Sequence, residues 1–245
     1  DLESLVVFVP ARTERYDLIT LEPPPPIAAG VVNLYSRDFY VLCRTRLAPH
    51  GLMAQWLPLA TQNDEDTRAL VRSFLDVFPQ ASLWSTELHE MLLVGSVEPQ
   101  VLDAGWITVR LAEPPIRAAL GEVGVSDAAS LLATYVTDAD GLAAYAGDAP
   151  AVTDDRPRIE HAGVVRPGEF GRTLAHVLEH RREPSLTGAD DPFRERIRAQ
   201  RQLLLSFYQA AIYWYAGQQA DMEPLLTRVL AEEPANPYFN WFLGR

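Results

Sequence analysis

The sequence contains no lysine: all 21 basic residues among its 245 are arginine. A Schiff-base lysine and the lysine of a Walker A loop are thereby excluded. Cysteine is nearly absent as well. Cys43 stands alone, so no disulfide forms within the chain, which fits a reducing compartment and a cytoplasmic location. With no His or Asn pattern around it, Cys43 reads as a small core residue on a helix. No apolar run reaches the ~18–20 residues of a membrane span, and no signal-peptide pattern opens the chain. A Gly-rich turn is missing too, since no G-x-G string occurs. The net charge of −12 argues against nucleic acid as the main partner and is compatible with a cationic one.

What is present is an ordinary core-forming composition, 48% apolar and 22% charged, enough for one large or two modest domains. The chain is organised around residues 16–59. The apolar run Leu18-Ile19-Thr20-Leu21 reads as a buried strand that stops at Glu22, and Pro23-Pro24-Pro25-Pro26 follow at once as a stiff extended loop. A carboxylate at the C-terminal end of a parallel strand is where an open α/β sheet places its ligand site. The pattern then predicts a helix from about Leu34 to Leu47, with Leu34, Phe39, Leu42, Cys43 and Leu47 on one face. Pro49-His50-Gly51 reads as a turn, and Leu52 to Leu59 as the next strand.

Upstream, Leu5 to Val9 is a short candidate strand closed by Pro10. Downstream, Asn63-Asp64-Glu65-Asp66 caps a helix that Pro79 ends. Ala81–Ser85 and His89–Ser96 read as an antiparallel pair across Thr86-Glu87-Leu88. The order β-α-β-α-β-β matches the second half of a Rossmann-like, methyltransferase-type sheet with a reversed last strand. Short helices follow at Glu113–Glu122, Asp127–Thr134 and Ala139–Ala146, then a polar, proline-punctuated connection over 151–168. Residues 167–245 are helical. From Leu203 the pattern resembles one tetratricopeptide-type repeat, with Ala210, Tyr213, Gly217, Leu226 and Pro234 in place, and the first third of another reaching Leu243-Gly244. A plain helical hairpin explains the same pattern.

Short strings in the central stretch carry a family resemblance. L-x-S-R-D-F-Y at Leu34–Tyr40, L-x-P-x-G at Leu47–Gly51, Gln55, and T-D-D-R-P at Thr153–Pro157 followed by Ile159-Glu160 resemble the spermidine synthase-like family of polyamine aminopropyltransferases. The resemblance implies an α/β fold: an incomplete Rossmann-like sheet of the S-adenosylmethionine-dependent methyltransferase type, followed by an α-helical, repeat-like C-terminal region. It implies a partial aminopropyltransferase domain over 1–98, its helical completion over 99–165, and a tetratricopeptide-like region over 166–245. By position Glu22 stands for the catalytic aspartate of the family, while Gln55 and Tyr35 are placed to contact the donor or the polyamine. No tightly bound cofactor is implied; decarboxylated S-adenosylmethionine is the co-substrate.

The departures are as specific as the matches. Pro25 occupies the place of the second aspartate of the family loop, and Ser85-Thr86-Glu87-Leu88 the place of an expected tyrosine. The donor-binding Gly-rich turn and the acidic D-G-R-type string before Tyr16 are both missing, so the chain reads as a fragment or a degenerate copy. The resemblance implies a polyamine or other cationic small molecule as partner, a membrane segment upstream in the full protein, and hence a cytoplasmic or cytoplasmic-face location. A protein partner on the helical repeat and a homodimer are further partners of this reading. Its alternatives are a non-catalytic Rossmann-like scaffold with a helical-repeat interaction module, and methyl transfer on the same fold.

Other groups read as structural. His176 and His180, four apart on a helix, lack the zincin glutamate and read as a solvated face. Asp154-Asp155 with Glu160 reads as a cluster paired by Arg156 or Arg158. Phe207, Tyr208, Tyr213, Trp214 and Tyr215 read as helix-repeat core. Glu87, His89 and Glu90 flank the turn of the strand pair, and alternation leaves open which of them faces Glu22.

Overall fold

The computed structural model describes residues 14–161 and 163–241; the expected strand at Leu5–Val9 and the Leu243-Gly244 of the second repeat lie outside them. Strand β1 (Tyr16–Leu21) leads through the proline loop and a 3-10 turn (Val31–Tyr35) into α1 (Arg37–Arg46). The predicted helix is therefore split. Ser36 breaks it, in extended conformation, with its hydroxyl accepting from the Phe39 N–H as the N-cap of α1.

Strand β2 (Leu47–Pro58) is longer than the sequence suggested. Pro49-His50-Gly51 is a bulge inside the strand rather than a turn before it. The register with β1 slips between Tyr16 and Leu18, and His50 takes a left-handed φ of 63°. A Cβ on Gly51 would stand 2.9 Å from the Ala48 and Tyr16 carbonyl oxygens, so glycine is required there.

Asn63 precedes α2 (Asp64–Leu75), and β3 (Gln80–Glu87) and β4 (Glu90–Ser96) form the expected antiparallel pair. The five-stranded sheet runs β1-β2-β4-β3-β6, where β6 (Tyr135–Asp138) is a short edge strand the sequence did not announce. The reversed strand β4 sits between β2 and β3. Strands β1, β2 and β3 thus run in one sense and bring their C-terminal ends to one edge. The α/β class with a helical C-terminal region is the architecture observed.

Between β4 and β6 lie β5 (Leu102–Asp103), α3 (Ala104–Leu111), α4 (Pro114–Glu122) and α5 (Ala128–Ala133). After β6 come α6 (Ala139–Ala146), α7 (Glu169–Glu179), β7 (Leu186–Thr187), α8 (Asp191–Tyr215), α9 (Gln219–Glu232) and α10 (Pro237–Trp241). Met53, Leu57, Leu83, Met91 and Leu93 present one face of the sheet to Tyr40, Leu70, Phe74, Leu142, Leu174 and Phe207 in a continuous core. That core carries the helical region with it. A smaller cluster on α3, α5 and α8, including Ile107, Leu132 and Ile197, touches Trp84 on the opposite face.

Helix α8 starts at Asp191, twelve positions before the repeat expected at Leu203, and folds back on α9 through Gly217. Ala210, Leu226, Phe207 and Tyr208 are buried there, whereas Trp214 and Tyr215 remain 50% and 39% exposed. A helical hairpin is what these residues build. Cys43 is buried as expected, and burial pushes its thiol up to about 12.

Candidate functional site

The site is built from the C-terminal ends of β1 and β3 and from the start of β4. Glu22 is the first residue past β1 and is exposed. The loop after it is closed by a turn in which the Ala28 N–H donates to the Pro25 carbonyl at 3.0 Å. Pro23 and Pro26 are buried, which anchors this donor-poor segment by apolar contact as well.

Tyr35 lies beneath the loop with no exposure, and its Oη donates to the Pro24 carbonyl at 3.4 Å. Its phenol is held well above the ordinary range by burial first, then by the charges of Glu22 and Glu90. Glu87 is also raised, by burial, by Glu90 and by Glu22. Glu22 and Glu90, from two other strand ends, therefore both act on Glu87 at one edge of the sheet. No arginine is among the causes acting on Glu87 or Tyr35.

The question left by alternation is resolved by packing. Glu87 and Glu90 are partners in the β3–β4 register and share the edge with Glu22. His89 turns away: its ring packs on Phe170 and Tyr215, and Nε2 meets the Tyr215 Oη at 2.6 Å.

Gln55 lies opposite Leu21 on β1 and Leu93 on β4 and is wholly buried. Its Nε2 donates to the Trp56 carbonyl at 3.1 Å, while its Oε1 has no partner among the described residues. The Tyr40 Oη and Trp56 Nε1 share that condition. Unpaired buried polar atoms are rare enough to mark strained or functional places.

Sequence reasoning missed a hydroxyl cluster beside Glu87. Ser85 Oγ, Tyr208 Oη and Tyr238 Oη bond to one another, with Ser85 to Tyr238 at 3.0 Å and Tyr208 to Tyr238 at 2.8 Å. The partners lie 123 and 153 positions from Ser85, so no local pattern announces them.

Two further readings are corrected. Asp154 is paired not by arginine but by α1: it accepts from the Ser36 hydroxyl at 2.7 Å, and its own N–H donates to Asp38 at 3.0 Å. The two strings of the resemblance are thus pinned together, T-D-D-R-P seated on the cap of L-x-S-R-D-F-Y. His176 is not on a solvated face. Its Nδ1 lies 2.9 Å from buried Asp64, which also accepts from the Tyr145 hydroxyl at 3.0 Å, and the His180 ring lies tilted beside it. Among the described residues no group of three or more His, Cys, Asp or Glu side chains could hold a metal, and no helix is long and apolar enough to cross a membrane.

No family model matches the chain, and no curated protein matches it. Among solved structures it is similar to the crystal structure of a probable spermidine synthase from Corynebacterium glutamicum. Identity is 17% and the TM-score 0.40, over 60% of this chain and 51% of that one. The chain spans about half the length of that protein.

Proposed function

We propose that this chain carries the amine-binding edge of an aminopropyltransferase of the spermidine synthase type, working in the complete protein with decarboxylated S-adenosylmethionine. The observation that carries the reading is that Glu22 just past β1, Glu87 at the end of β3 and Glu90, its register partner at the start of antiparallel β4, come together, Glu22 and Glu90 acting on both Glu87 and Tyr35. A carboxylate set against two others, as Glu87 is against Glu90 and Glu22, is relieved by a polyvalent ammonium, which is what such an acceptor supplies. Glu22 takes the proton of the attacking amine, and Glu87 and Glu90 anchor the remaining charge. The amine nitrogen then bonds the aminopropyl carbon, the carbon–sulfur bond of the sulfonium breaks, and a neutral thioether leaves. With no Gly-rich turn in these 245 residues, the donor contacts in this reading come from elsewhere in the protein.

The test uses the complete protein with the donor and either putrescine or spermidine, following product by mass. Glu22 is exposed, so Glu22→Gln is expected to keep the fold, seen by circular dichroism, and to lose transfer by about 100-fold or more. An unmodified protein that forms no aminopropylated product with either amine overturns the reading. The burial of Tyr35 and Gln55 favours a second reading, a non-catalytic scaffold. That one expects no thermal stabilisation by donor or polyamine.

A further inference from the structure

The face of the sheet turned away from the main core is only half covered. Half-buried Trp84, Leu92 and Val94 form its floor. Helices α3 and α4 stand over it without closing on it: α4 buries no residue, and α3 buries only Ala104 and Ile107. Between floor and helices runs a groove of about 1210 Å³, at or above the roughly 300–1,000 Å³ of small-molecule sites. Its wall includes Trp106 and Val123, which are 64% and 54% exposed. Apolar surface left open on this scale marks a binding surface.

The ionisable groups of the lining decide what binds. Apart from tyrosines they are Glu87, Asp103, Asp138 and Asp140, with no arginine or histidine. Three of these are committed. Asp103 caps α3 by accepting from the Trp106 N–H at 2.7 Å, Asp138 caps α6 through the Gly141 N–H at 3.0 Å, and Asp140 pairs with Arg182 at 3.1 Å. Glu87 is exposed at the rim and has no cation partner among the described residues, and partial burial together with Glu90 and Glu22 raises its carboxyl. It stands at the end of β3, about 17 Å along the strand from Ser82 on the groove floor at ~3.3 Å per residue. A long apolar trough therefore ends on one uncompensated carboxylate.

We infer that this groove binds an amphiphilic amine, its apolar body on Trp84, Leu92 and Val94 and its ammonium at Glu87. An anion would meet only like charge, and a neutral apolar ligand would leave Glu87 facing Glu22 and Glu90 unrelieved. The inference shares Glu87 with the transfer reading but needs neither donor nor reaction, so either can fail alone.

The full 245-residue chain is titrated with monodansylcadaverine, an aromatic body on a primary alkylamine, and with its N-acetylated form. Saturable, blue-shifted fluorescence is expected, displaced by octylamine, with the acetylated probe at least 10-fold weaker. Glu87→Gln, Val94→Trp, which fills the floor, and Trp106→Ala, on the exposed wall and so safe for folding, are each expected to weaken binding at least 10-fold. Absence of saturable binding, or equal affinity of the two probes, overturns the inference. So does binding that Glu87→Gln and Trp106→Ala both leave unchanged. Sedimentation of the same samples covers the other occupant: a dimer that Trp106→Ala dissolves, in a chain that takes no probe, assigns the groove to a second copy instead.

Discussion

Glu169 shows how much one buried carboxylate can hold. Its side chain is 3% exposed, yet it accepts from the Asp64 N–H at 2.9 Å and from two nitrogens of Arg166 at 2.9 and 2.7 Å. Arg166 in turn reaches Glu65. One side chain thus ties the N-terminus of α2 to α7 and satisfies a helix-terminal donor. The Arg166 hydrogen bond is the largest cause holding the Glu169 carboxyl below its usual value. Because the folded value is lowered, the stability it contributes is present above the ordinary carboxylate range. That stability is lost as pH falls through the lowered value. Glu169→Gln should cost about 2 kcal/mol at neutral pH, or about 4–8 °C in melting temperature for a chain of this size. Melting curves of both proteins from pH 7 into acid check this: the gap should close below the carboxylate range. A gap that stays constant to the lowest pH at which both fold would assign the loss to shape rather than charge.

At the scale of elements, the helical region is joined to the sheet edge by the Ser85–Tyr208–Tyr238 cluster, which sets α8 and α10 against β3 two residues before Glu87. Three hydroxyls bonded in a triangle make a specific energetic prediction. Tyr208→Phe and Tyr238→Phe each break two of the three bonds, while the double variant breaks all three. Each single change should cost about 1 kcal/mol or more, and the double variant less than their sum, because the shared bond is counted twice. Urea unfolding of the four proteins measures it, and strict additivity would show that the two phenols act separately. Most elements that place the edge were legible. β1, β2, α2, β3 and β4 follow from apolar runs and from the punctuation of Glu22, Pro79 and Asn63. The bulge at His50 was not, since Pro49-His50-Gly51 is a turn string in isolation and only pairing with Tyr16 makes it part of β2. β6 escaped because four residues between two capped helices carry no period, and its partner β3 lies far upstream. The site divides the same way. Glu22 is announced by the strand end it terminates, whereas the roles of Glu87 and Glu90 depend on which way the hairpin twists.

For the whole molecule, the two faces of the sheet are bound to their layers very unequally. One face is sealed by the main core: a Cβ on Gly95 would stand 2.5 Å from the Phe74 ring, so β4 and α2 are in direct contact. The other face carries α4, which buries nothing. Local opening free energies follow buried contact, so the chain should open from one side. Amide hydrogen exchange of the full chain tests this. Amides in the last turns of α4, around Ala119 to Glu122, should exchange faster than those of α2 around Val71 to Leu75 by about two orders of magnitude or more. Titrating in monodansylcadaverine should raise protection in α3 and α4 and leave α2 unchanged, since an occupant adds contacts only on the open face. The protection should also depend on pH. Burial, Glu90 and Glu22 raise the Glu87 carboxyl from its ordinary value, and its charge is what the ammonium meets. Probe-induced protection should therefore fade as pH falls through that raised value and return above it. Equal exchange of α2 and α4 would mean that the two faces open as one unit, and protection that does not change with pH would separate the apolar groove from the carboxylate at its end.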